Sequence, residues 1–152
     1  MLQQIYAIPP HPYTYELNKD FHFSAAHYIP HQEAGKCQQV HGHTYFVNVT
    51  IGGNELDASG FLINFTFLKK LIHEQFDHQM LNDQTKYFNN IDAAYFPTTE
   101  VVARTIYDIV QAHLDTLHHR PQCLQIYLRE TPSSYCIYRP KKLLNWQQEE
   151  QV

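Results

Sequence analysis

Apolar and polar positions along this chain change period several times, and each change predicts a different element. From Tyr13 to Tyr28 the residues are rich in Tyr and Phe without a helical stripe, which predicts a long strand, bulged near Ser24-Ala25-Ala26 and with His27 near its end. A polar loop from Pro30 to Gln39 follows. His43 to Ile51 then alternates, with Tyr45, Val47, Val49 and Ile51 on one face and Thr44, Phe46, Asn48 and Thr50 on the other, the pattern of a half-buried strand. Gly52-Gly53-Asn54 is a turn signal, and Gly60 precedes a β-prone stretch, Phe61 to Phe65, expected to pair as an antiparallel neighbour.

Helical spacing takes over next. Leu68, Leu71, Ile72 and Phe76 recur at three- and four-residue intervals, with Lys69, Lys70 and Glu74 outside, so a helix should end near Asp77-His78. Pro97-Thr98-Thr99-Glu100 starts a second helix, in which Thr98 or Thr99 can cap the free amides and Val102, Ile106, Ile109, Val110 and Leu117 form the apolar stripe, His113 on the same face. Leu124, Ile126 and Leu128 then alternate with Gln125, Tyr127 and Arg129 in a strand running into Glu130, and a short last strand spans Tyr135 to Arg139. This order predicts a single α+β domain over residues 1–152: a four- to five-stranded antiparallel sheet with both helices on one face, and a polar end, Asn145 to Val152, that frays. So small a sheet leaves an edge that a second copy could cover.

Composition then removes whole classes of function. With 43% hydrophobic residues in 152, the chain can bury a core. Its formal net charge of −4, without a Lys/Arg block, argues against a nucleic-acid surface. No apolar run approaches the roughly 18 residues of a membrane span, and Met1 to Tyr13 lacks a secretory pattern. Cys37, Cys123 and Cys136 are too few for a disulfide scaffold, so a reduced, cytoplasmic location is expected.

The unusual number is 11 histidines. His41 and His43, two apart on a strand, point the same way with Gly42 between them, and His27 at the end of the neighbouring strand can reach the same spot. Three neutral imidazoles would hold Zn²⁺ and leave a position open for chemistry, whereas a lone H-x-H is more often an ordinary pair of polar positions. Cys37, four residues before His41, fits either a reactive thiolate or the fourth ligand of a closed structural site. Asp77-His78 reads either as a general acid/base pair or as a helix end favoured by the macrodipole. Glu130 shares the parity of the buried strand positions and needs a partner there, either a ligand with paired N–H donors or a neighbouring Arg or Lys.

Six ordered motifs extend the pattern: Phe23-Ser24-Ala25-Ala26-His27, Lys36-Cys37 with His41-Gly42-His43, Gly60 to Phe65, Phe76 to Asn82, Pro97 to Glu100, and Glu130-Thr131 with Cys136 to Arg139. Together they resemble the 6-pyruvoyltetrahydropterin synthase family, and more closely its bacterial branch, which forms 6-carboxytetrahydropterin in queuosine biosynthesis. The resemblance implies that His27, His41 and His43 bind zinc, that Cys37 is the proton-transfer thiol, that Asp77 and His78 form a relay pair, and that Glu130 anchors the pterin, with Thr98 and Thr99 as further contacts. It implies conversion of 7,8-dihydroneopterin triphosphate and water to 6-carboxy-5,6,7,8-tetrahydropterin, acetaldehyde and triphosphate. It also implies a T-fold, in which sheets of several subunits close into a barrel as a trimer or dimer of trimers. Asn64 stands where relatives commonly have Asp. Two competing enzyme readings are a pyruvoyl-forming synthase with the same ligands and a cupin-like oxygenase. The cupin pattern starts at Gly35 but lacks its Glu ligand at Val47 and Asn48. A structural zinc module is the non-enzymatic alternative. On this reading His11, His22, His31, His73, His113, His118 and His119 have no chemical role, and His118-His119 is a solvated helix end.

Overall fold

The computed structural model describes residues 6–141, so the polar end expected to fray lies outside the described residues. Strand β1 (Tyr15–His27) and strand β2 (His41–Gly53) pair antiparallel over their whole length, Tyr15 opposite Gly53 and His27 opposite His41. The register has no shift, so the bulge expected near Ser24 is absent. Those small residues serve another purpose: Ala25 and Ala26 pair in parallel with a two-residue strand, β3 (Gln79–Met80).

Helix α1 (Phe65–Phe76) begins where a strand was expected. The Asn64 side chain accepts from the backbone N–H groups of Thr66 at 2.9 Å and Phe67 at 3.3 Å, so it caps the helix and ends the β-prone run before pairing can start. Leu62 and Ile63 are buried as loop residues instead. Leu68, Ile72 and Phe76 form the buried face of α1, as its spacing predicts. Helix α2 (Thr99–Leu114) is capped by Thr98, whose hydroxyl accepts from the Val101 N–H, and buries Val102, Ile106 and Val110.

Strand β4 (Gln122–Thr131) pairs with β2, and β5 (Ser134–Tyr138) with β4, giving the order β3-β1-β2-β4-β5. The sheet is therefore mixed, through β3, rather than wholly antiparallel. Thr50 lies opposite Gln125 but Ile51 opposite Cys123, which leaves Leu124 unpaired in a bulge. Cys123, Ile126 and Leu128 consequently share the helix-side core, while Leu124 packs beside Gly52 with Tyr13 rather than continuing the alternation.

Both helices cover one sheet face, and their side chains join Phe23, Tyr45, Val47, Val49 and Ile51 in one core. Each such large side chain contributes about 1.5–3 kcal/mol by leaving water. The opposite face is polar: Asn48 donates to Asp20 at 2.9 Å, Thr50 to Asn18 at 2.7 Å, and Gln125 to the carbonyl of Ala7 at 3.3 Å. Residues before β1 thus lie over this face, with Tyr6 against Tyr127 at 4.1 Å between ring centroids. No helix among the described residues is long and apolar enough to cross a membrane.

Candidate active site

The uninterrupted β1–β2 register places His27 directly opposite His41, and His43 two residues further along the same face. The nitrogens they offer lie within 4.8 Å of one another. His27 Nδ1 lies 2.7 Å from the Pro97 carbonyl and His41 Nδ1 2.7 Å from that of Gln39. A carbonyl only accepts, so each Nδ1 carries the proton and each Nε2 presents a lone pair. The Nε2 atoms of His27 and His43 are buried without a hydrogen-bond partner. Burial holds both rings below the usual histidine pKa, which keeps them neutral. Convergent, orphaned, neutral imidazole nitrogens are a donor set suited to a divalent metal ion.

Tyr45, read from its spacing as a core residue only, lies beneath the triad with its hydroxyl 3.4 Å from His27 Nδ1. Burial pushes its pKa far up, so it remains a phenol. Glu130 reaches the triad from β4, its Oε1 at 3.3 Å from His43 Nε2 without hydrogen-bond alignment. Its Oε2 accepts from the Thr99 hydroxyl in the first turn of α2. Neither Arg129 nor Arg139 pairs with it: Arg129 stacks over Tyr135 and donates to the Pro132 carbonyl, and Arg139 donates to Gln125. Thr98 caps α2.

Cys37 is exposed in a short 3-10 segment, Gln32–Gln38, anchored where its carbonyl accepts from the Ile29 N–H. It lies outside the histidine cluster, so the described residues do not form a closed Cys-His₃ site. Asp77 and His78 stand at the end of α1. Asp77 Oδ2 is 2.9 Å from His78 Nδ1, and Oδ1 accepts from the Ser24 N–H at 2.9 Å. The Ser24 bond first, and the two histidines beside it, hold the Asp77 carboxyl below its ordinary range. His78 has a left-handed backbone, φ 59°, and an exposed ring.

Two open cavities meet at β2. One, of about 670 Å³, lies where β2 and β4 diverge and is lined by Gly42, His43, Phe46, Arg129 and Glu130, among others. The other, of about 540 Å³, is lined by Ser24, Ala26, Gly42, His43 and His78. Four of the unassigned histidines also have partners, among them His11, whose Nε2 is 2.9 Å from Glu16 Oε1. His73 Nδ1 is 3.7 Å from Asp77 Oδ2, an i,i+4 relation visible in the sequence. His31 caps the Gln32–Gln38 segment. His119 Nε2 bonds the Leu62 carbonyl at 2.7 Å, well past the end of α2, so the pair with His118 is not a solvated helix end.

The fold and the triad define an α+β protein whose three-histidine cluster could hold a metal ion, beside one cleft lined by Glu130 and another lined by His78. The chain belongs to the 6-pyruvoyl tetrahydropterin synthase family, whose description matches residues 16–141. It is similar to the 6-carboxy-5,6,7,8-tetrahydropterin synthase of Bacillus subtilis (strain 168), with 61% identity over 142 residues, 93% of this chain and 97% of that protein. The enzyme so named from Haemophilus influenzae is 32% identical over 148 residues, covering 82% and 99% of the two chains. Among solved structures, the 6-pyruvoyl tetrahydropterin synthase of Caenorhabditis elegans matches the fold with a TM-score of 0.64 and 21% identity, over 90% of this chain and 99% of that one.

Proposed function

We propose that this protein has 6-carboxy-5,6,7,8-tetrahydropterin synthase activity: a zinc-dependent lyase that converts 7,8-dihydroneopterin triphosphate and water to 6-carboxy-5,6,7,8-tetrahydropterin, acetaldehyde and triphosphate, in queuosine biosynthesis. The carrying observation in the structure is the set of Nε2 lone pairs, buried and unpartnered at His27 and His43 while Nδ1 of His27 and His41 is tied to main-chain carbonyls. The choice of product rests on the likeness to the Bacillus subtilis enzyme over nearly the full length of both chains.

His27, His41 and His43 would hold the zinc ion, which supplies Lewis acidity toward the substrate's side-chain hydroxyls. Cys37, as thiolate, takes a proton from the substrate. Asp77 fixes the His78 tautomer through Nδ1, which leaves Nε2 of that exposed ring to give or accept protons. Glu130 accepts from the pterin amino group and ring N–H as a bidentate anchor, and its Thr99 contact orients the carboxylate, with Thr98 beside it. The enzyme works in the cytoplasm as a trimer or dimer of trimers in which sheets join edge to edge. The β1 residues not covered by β3, and the whole outer side of β5, are the edges available for that joining.

Product analysis of purified, zinc-analysed protein given dihydroneopterin triphosphate tests the reading. Acetaldehyde and a 6-carboxypterin product are expected. A diketone side chain without acetaldehyde would instead establish the pyruvoyl-forming reaction, and no turnover by zinc-loaded protein would exclude both.

A further inference from the structure

Asn82 closes the Phe76 to Asn82 motif yet has no part in the chemistry above. It is buried, 5% exposed, in the 3-10 turn Leu81–Asp83 that follows β3, beside Leu81, which is fully buried in the core. A carboxamide taken out of water is costly unless its polar atoms are bonded, and here both are used. Oδ1 accepts from the Tyr28 N–H at 2.9 Å, and Nδ2 donates to the Tyr28 carbonyl at 2.8 Å and to Asn90 Oδ1 at 3.1 Å. Asn90 in turn donates from Nδ2 to the Tyr28 hydroxyl at 2.9 Å, so Tyr28 is held at its main chain and at its ring.

The place where these bonds fall gives them a functional meaning. β1 ends at His27, and its pairing with β3 reaches no further than Ala26 opposite Met80. A carboxamide carries the same N–H and C=O groups as a peptide, so the Asn82 side chain extends that pairing past the ends of both strands, in place of a main chain that has turned into the 3-10 segment. The residue it grips stands between two anchors of the site. His27 precedes Tyr28, and Ile29, which follows, donates from its N–H to the Cys37 carbonyl at 2.8 Å. We propose that Asn82 is a positioning residue: by pinning the peptide groups of Tyr28 it fixes the backbone of His27 on one side and, through Ile29, the segment carrying Cys37 on the other. The inference rests on the zinc and thiol assignments above and gives them a common support. The chain reaches Asn82 from Asp77 and His78 directly through β3, so one turn ties all three parts of the proposed site together.

Asn82→Leu, close in size and without polar atoms, is the test, with Val110→Ala in the buried face of α2 as its control. In Asn82→Leu the Tyr28 N–H and carbonyl lose their partner. Zinc affinity, titrated against a competing chelator, should fall about 10–100-fold, the loss usual for outer contacts of a metal site. Amide exchange at Ile29 in the metal-free protein should quicken about tenfold or more, while amides at the centre of β2 keep their protection. Val110→Ala should lower Tm with neither change. Asn82→Asp keeps the acceptor and loses the donor, so it should shift both readouts the same way by less, and it carries the test if Asn82→Leu does not fold. Unchanged zinc affinity and Ile29 exchange in the folded variant would overturn the proposal. So would exchange that quickens equally throughout the sheet, which makes Asn82 a residue of global stability alone. If the unaltered protein binds no zinc, the metal reading has failed and Ile29 exchange alone decides the clamp; if it binds zinc and the variant matches it in both readouts, only the positioning role has failed.

Discussion

Two imidazole–carboxylate pairs, His43–Glu130 and His78–Asp77, differ in almost every respect that matters for chemistry. His43 and Glu130 are largely enclosed, with side chains 16% and 17% exposed, and their closest atoms are 3.3 Å apart without hydrogen-bond alignment. His78 and Asp77 share a 2.9 Å contact, but the His78 ring is 82% exposed. The enclosed imidazole is kept neutral by burial, so its lone pair remains available to a cation. The open one has a carboxylate fixed to one nitrogen and solvent at the other, which suits it to exchanging protons. Burial separates a nitrogen suited to a metal ion from one suited to proton exchange; sequence spacing alone treats both as histidines near an acid.

The comparison breaks most sharply at the triad. His41→Ala should abolish stoichiometric zinc binding, with an affinity loss beyond the about 10–100-fold that outer contacts of a metal site contribute, and activity should vanish with the metal. Elemental analysis after dialysis checks this, and retained zinc would remove His41 from the ligand set. Asp77→Asn should leave zinc in place but lower kcat by about 10²–10⁴, the usual contribution of general acid–base catalysis. Glu130→Gln should chiefly raise KM, because an amide cannot accept from both pterin donors at once; steady-state kinetics separate the two outcomes.

A smaller effect concerns acid. His27 and His43 have lowered pKa values in the fold, so below the ordinary value of 6.5 the unfolded chain binds protons that the metal-free fold resists. The metal-free protein should therefore lose stability as pH falls from about 6.5 toward the folded values, with no such loss above it. Asp77 acts lower on the scale: its depressed pKa adds stability above 3.8 that is lost as pH falls through the folded value. Chemical denaturation of chelated protein at several pH values measures both, and a flat profile between pH 7 and 5 would contradict the histidine assignment. The smallest effect is at Asn64. Asn64→Ala should cost about 1 kcal/mol of helix-capping stability, while Asn64→Asp should be neutral or gain a few tenths. Thermal melts of the two variants check both values.

Much of the site was legible because strand geometry is periodic. The H-x-H spacing and the apolar alternation of β2 place His41 and His43 on the helix side, and the aromatic run ending at His27 supplies their neighbour. Glu130 keeps its parity with Ile126 and Leu128, although the bulge at Leu124 breaks the same pattern a few residues earlier. A bulge is a pairing event and leaves no periodic trace. Phe61 to Phe65 misled for a different reason: β-propensity is weak beside a side chain that satisfies two helix-start amides. Strand β3 was invisible because two residues carry no period at all. His73 and Tyr45 joined the site through contacts that depend on how α1 and β2 pack against β1, which spacing within one element cannot supply.

The partners that set the His27 and His41 tautomers are main-chain carbonyls, those of Pro97 and Gln39. No side-chain substitution at either position deletes an oxygen that belongs to the peptide bond. The orientation of these two rings is thus insulated from ordinary point mutation and vulnerable only to changes that move the backbone, such as insertions or deletions between Tyr95 and Thr98 or beside Gln39. Sequence drift around the triad can therefore be broad in residue type and narrow in loop length, a pattern of tolerance that a saturation library with length variants would reveal.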